Sequence, residues 1–112
     1  MIKCKTYWAS IYVGVKQGYS GPLAELSLVR RVVQSYVDEA KLCVTVTPTT
    51  FQYVSGHEPG CVIGLINYPR FPSTRKKIRC HALKLAGLLK EALEQYRVSI
   101  VFPDETIMLG ER

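Results

Sequence analysis

"LCVTVTPTTFQYVSGHEPGCVIGLINY", residues 42–68, decides the fold. Residues 42–54 are rich in β-branched and aromatic types on both sides of Pro48. A proline cannot donate to a sheet ladder, so Pro48 marks an edge, a bulge or a break. "SGHEPG", 55–60, has turn composition, and "CVIGLINY", 61–68, is the most apolar run of the chain. The short link between the two runs predicts an antiparallel hairpin, with 61–68 as a central strand. Outward from it, "TYWASIYVGVK", 6–16, alternates Tyr7, Ala9, Ile11, Val13 and Val15 with Trp8, Ser10, Tyr12 and Gly14, which reads as a strand. "QGYSGP", 17–22, reads as a turn cluster with Pro22 in the first turn of a helix. From Leu23 to Lys41, Leu26, Val29, Val33, Tyr36 or Val37, and Ala40 share one helical face. Ser73 is a candidate N-cap for a second helix running to about Tyr96, with Ile78, Ala82, Leu85, Leu89 and Leu93 at helical spacing. "RVSIVF", 97–102, is a strand, "PDET", 103–106, a turn, and "IMLG", 107–110, a short last strand. The order is β-α-β-β-α-β with an extra C-terminal strand. That predicts an α+β domain, 1–112, with two helices on one face of an antiparallel sheet. Trp8, Ser10 and Tyr12 then belong to the other face, as a partner surface, a stacking platform or simple packing.

Composition supports one folded domain: 112 residues, 47% apolar and 21% charged. A net charge of +6 favours anionic partners. Cys4, Cys43, Cys61 and Cys80 are dispersed without a CxxC, and His57 and His81 lack metal-ligand spacing. The expectation is reduced, mostly buried thiols, no metal and no cofactor. Met1 leads directly into an amphipathic segment, and no apolar run is long enough to span a bilayer, so a cytoplasmic location is expected.

The chemistry concentrates in "NYPRFPSTRKKIRC", 67–80, which holds five cations and no acid. Cations are unfavourable at a helix start, where the backbone already presents partial positive charge. A bound phosphate would relieve that conflict, held by helix-start amides and by Arg70 and Arg75. Tyr68 and Phe71 flank Arg70 and suit stacking on a base, and Asn67 offers a donor and an acceptor to a base edge or ribose. Phe51, after Pro48, and Arg97, at the start of a strand, complete the candidate set. The bland alternative is a solvated basic helix face with Tyr68 and Phe71 in the core. His81 beside Cys80 is a poor nucleophile–base pair, because adjacent helical residues point about 100° apart. No GxSxG, Walker A loop or GxGxxG occurs.

"YVGVKQGYSG", "LCVTVTPTTFQYV", "VIGLINYPRFP" and "QYRVSIVFPDETIML" resemble the small phage anti-Thoeris proteins, the first type of Thoeris anti-defence protein, over nearly the whole chain. The resemblance implies a sponge that sequesters cyclic ADP-ribose-type signals without cleaving them, and so is not an enzyme. It also implies homodimers or hexamers, a signal pocket between protomers and, in some hexameric members, a separate site for cyclic trinucleotides. A cyclic dinucleotide belongs to the same ligand class. Two other readings share the residues. The βαββαβ order and basic charge also fit an RNA-binding module, although "CVIGLINY" lacks the aromatic-rich third-strand motif of RNA-recognition domains. A small phosphate-ester hydrolase on this fold would need a base that the chain does not obviously supply.

Overall fold

The computed structural model describes residues 1–17 and 21–110. The element order is β1 (Trp8–Gly14), α1 (Leu26–Ala40), β2 (Val44–Tyr53), β3 (Gly56–Ile66), α2 (Arg75–Ala92), β4 (Arg97–Val101) and β5 (Thr106–Gly110). The strands form one sheet in the order β2-β3-β1-β4-β5, antiparallel at every step. This is the α+β architecture expected, including the extra C-terminal strand.

Register explains the two faces. Ala9, Ile11 and Val13 pair with Leu65, Ile63 and Cys61, and Ile11 also pairs with Ile100. These side chains are buried with Val29 and Val33 of α1 and Ile78, Ala82, Leu85, Ala86 and Leu89 of α2. Burying such aliphatic side chains contributes about 1.5–3 kcal/mol each, which drives the helices onto this face. The alternate residues face away: Trp8, Ser10, Tyr12 and Gly14 on β1, Glu58, Gly60, Val62, Gly64 and Ile66 on β3, and Ser99 and Val101 on β4. None of the described helices covers that second face.

Several boundaries differ from the expectation. "SGHEPG" is not a turn: β3 begins at Gly56 and pairs with Tyr53, leaving Val54 and Ser55 as the connection. Ser55 takes the left-handed conformation at φ 67° that this tight reversal requires. Pro48 sits inside β2, opposite Cys61, and is accommodated because β2 is an edge strand. Residues 18–20 of the expected turn cluster lie outside the described residues. Pro22 is not in a helix; its carbonyl accepts from Gln17 N at 2.9 Å, and α1 starts at Leu26. α2 ends at Ala92, short of Tyr96. The cysteines are all free, but only Cys61 is buried, against the expectation that most would be. No described helix is long and apolar enough to cross a membrane.

Candidate functional site

The seven candidate residues fall at two ends of the sheet. Asn67, Tyr68, Arg70, Phe71 and Arg75 follow the C-terminal end of β3. Phe51 and Arg97 lie towards the opposite end, where Phe51 pairs with Glu58 and Arg97 with Gly110. The eight residue steps of strand from Glu58 to Ile66 measure roughly 26 Å, so one chain does not bring the two groups together.

At the loop end, the basic segment is partly neutralised. Thr74, one residue later than expected, is the N-cap, and its Oγ1 accepts from Lys77 N at 3.1 Å. Arg75 forms an ion pair with Asp104. Arg79 donates to Glu105 at 3.0 Å and to the Tyr7 hydroxyl at 3.2 Å, with its guanidinium 4.3 Å from the Phe102 ring centre. Tyr7 and Glu105 together raise the Arg79 pKa above its ordinary value. The PDET turn therefore supplies the acids missing from 67–80. Asn67 is spent on the backbone: its Nδ2 donates to Lys5 O at 2.8 Å, and its Oδ1 accepts from Ser73 N at 2.8 Å. It pins the loop to the N-terminal segment. Arg70, Lys76, Lys77 and Lys84 make no ion pair with a described residue. Arg70 lies 5.4 Å from the centre of the exposed Phe71 ring.

A cavity of about 400 Å³ opens between the C-terminal end of α1, the start of β2 and the 67–74 loop, lined by Leu65, Ile66, Tyr68, Phe71, Ile78 and His81 among others. On its rim the Cys43 thiol donates to the Tyr68 hydroxyl at 3.7 Å, and this contact leads the causes that raise the Tyr68 pKa. Tyr36 meets His81 Nδ1 at 2.8 Å. Burial, Lys84 and Lys77 hold His81 below its usual range, and burial, Cys80 and Glu39 hold Tyr36 above its own. Both shifts favour the neutral forms, so a hydrogen bond between an uncharged phenol and an uncharged imidazole joins α1 to α2 here.

At the other end, the open face carries a group that local sequence reasoning missed. Glu58 is the sole acid within the five strands, and it lies on the open face at the Gly14–Gly60 step. The Phe51 ring lies across Gly60, where any side chain would also meet Val13 O at 2.7 Å. Gln95, on the link between α2 and β4, donates from Nε2 to Lys16 O at 2.7 Å and to Leu93 O at 3.0 Å. Its Oε1 lies 2.9 Å from where a Gly14 Cβ would sit, and Glu58 Oε1 lies 3.5 Å from the same point. Glu58 was read as a turn residue because 55–60 has turn composition, which hid the face it takes in the strand. A carboxylate alternating with glycines in a paired strand was the available signal. No group of three or more metal-ligating side chains occurs among the described residues.

No family model and no curated protein matches the sequence. Two solved structures share the fold. A phage SAM lyase in the apo state aligns with a TM-score of 0.72 at 11% identity, covering 95% of this chain and 90% of the other. A phage SAM lyase in complex with S-methyl-5'-thioadenosine aligns at 0.74 and 13% identity, covering 99% and 94%. The fold is thus one used by a phage protein, as the resemblance implied, but these neighbours are lyases and not anti-Thoeris proteins. The expectation that the chain is not an enzyme is corrected here. It rested on the sponge resemblance, on missing motifs and on an absent nucleophile–base pair, yet the architecture matched along nearly the whole chain is that of an enzyme. A lyase acting on a substrate with its own leaving group needs no such pair.

Proposed function

We propose that the chain binds an adenosine-bearing sulfonium on the open sheet face and cleaves S-adenosylmethionine to S-methyl-5'-thioadenosine. The observation that carries this reading is Glu58, the single strand acid, on a glycine floor beside Phe51. S-adenosylmethionine carries a sulfonium, an ammonium and a carboxylate, so its net positive charge suits an anionic spot and aromatic faces. The basic loop end would repel it. The chemistry is self-contained. The substrate's carboxylate attacks the carbon γ to it, the C–S electron pair passes to sulfur, and a five-membered lactone and neutral thioether leave. No proton transfer is required, so the protein's task is to fold the substrate into the attacking geometry and exclude water. Arg97, at the same end of the face, offers a partner to that carboxylate. A second copy of the chain, in a homodimer or hexamer, would close the open face over the ligand.

A second reading is favoured by the cavity lined by Lys41, Tyr68 and Phe71, with Arg70 against the Phe71 ring. Cations and an aromatic suit a cyclic ADP-ribose-type signal, or a cyclic di- or trinucleotide, and would place the chain in phage counter-defence. One experiment separates the readings. Purified protein is incubated with S-adenosylmethionine or with cyclic ADP-ribose isomers, and the mixtures are chromatographed. Methylthioadenosine formed in step with homoserine lactone supports the first reading, and Glu58→Gln should slow it about ten- to a hundred-fold. Unchanged S-adenosylmethionine with the cyclic signal depleted from solution supports the second. Neither effect, together with salt-sensitive RNA retention, would favour the nucleic-acid module.

A further inference from the structure

The Gln95 amide has a fixed orientation. Two backbone carbonyls, Lys16 O and Leu93 O, take its two Nε2 hydrogens at 2.7 and 3.0 Å. A carbonyl oxygen in that place would face two others, so the flipped assignment is excluded. Oε1 is therefore turned over the sheet, where no described residue donates to it. It converges with Glu58 Oε1 on one point above the Gly14 Cα, at 2.9 and 3.5 Å. Gly14 is what leaves that point open. Two acceptors aimed at one place, one of them anionic, call for a donor with more than one N–H and a positive charge. A sulfonium has no N–H and cannot satisfy them; a primary ammonium can.

We propose that Gln95 Oε1 and the Glu58 carboxylate form a two-oxygen acceptor for the protonated primary amine of the substrate's amino-acid end. This rests on the nucleoside reading above, and it makes Gln95 a specificity-determining residue. It also assigns the charges within the substrate: Glu58 meets the ammonium, and the sulfonium is left to the aromatic side of the face, near Phe51. Methylated purines or nucleosides without an amine chain would bind without using this pair.

The test compares two nucleosides by calorimetry. S-methyl-5'-thioadenosine and its aminopropyl counterpart, 5'-(3-aminopropylthio)-5'-deoxyadenosine, differ only in replacing methyl by an aminopropyl chain. The aminopropyl compound should bind the native protein about ten-fold or more tightly than the methyl one. Gln95→Lys keeps donors for Lys16 O and Leu93 O but replaces the acceptor by a cation. It should abolish that preference. Gly14→Ala is a second route, since its Cβ would push Gln95 Oε1 aside. Equal affinities for the two compounds in the native protein would overturn the acceptor pair and leave the nucleoside reading standing. A preference that survives both substitutions would overturn the role of Gln95. Binding of neither compound would remove the nucleoside reading and this inference together.

Discussion

Two glycines show how much a single hydrogen can matter. Gly60 lies under the Phe51 ring with Val13 O 2.7 Å from its missing Cβ, so Gly60→Ala forces backbone or ring to move. It should destabilise the protein by about 1–3 kcal/mol. Gly87, inside α2, has no atom within 4 Å of its missing Cβ. Gly87→Ala should instead stabilise by about 1 kcal/mol through helix propensity. Urea titrations of the two variants check both signs, and equal effects would mean that the crowding at Gly60 is relieved at no cost. At this scale the sequence was only partly legible. Asn67 looked like a ligand reader by its chemistry, but it is consumed by Lys5 O and Ser73 N, partners that its neighbours do not announce. Asp104 looked like turn chemistry, but it answers Arg75 and Arg79 from 29 and 25 residues away.

Among the elements, periodicity was the reliable guide. The alternation of β1 and the helical spacing of Ile78, Ala82, Leu85 and Leu89 were read correctly because burial enforces them. The start of β3 was not, since Gly56, His57, Glu58 and Pro59 have loop composition and become a strand only by pairing with β2. The α1–α2 junction carries its own pH dependence through Tyr36 and His81. The folded state holds His81 below its unfolded value near 6.5. The unfolded chain therefore takes up this proton first as pH falls, so stability is full above about pH 6.5 and declines below it. The groups acting on His81 are Tyr36 from α1 and Lys77 and Lys84 from α2. Denaturation midpoints measured between pH 7.5 and 5.5, a range of about two units around the reference value, should fall on acidification. The fall should be shallower in His81→Gln. An identical slope in both proteins would assign the pH dependence elsewhere.

For the whole molecule, the open face is the feature that asks for a partner. Ile66 and Met108 on it are 50% and 48% exposed, and Tyr12 lies between their strands. Exposed apolar surface on one continuous face marks an interface. Light scattering should report a dimer or larger species for the native chain. Ile66→Asp should shift it to monomer with its circular dichroism unchanged, because that side chain is outside the core. A native monomer would rule out closure by a second copy. The sheet order was legible as a split βαβ pattern and the two faces of β1 in its alternation, but which strands meet on each face came from register, which no local stretch contains. That same order has a consequence for how the chain is made. β1 is the first strand to leave the ribosome and the central strand of the sheet, yet its two partners, β3 and β4, come from the second half of the chain. The β2–β3 hairpin can close locally and then offer β3 to one edge of β1, but the other edge of β1 stays bare until β4 emerges. A nascent chain stalled before Arg97 would thus display one bare edge of β1, so during synthesis the central strand is the segment most in need of a chaperone.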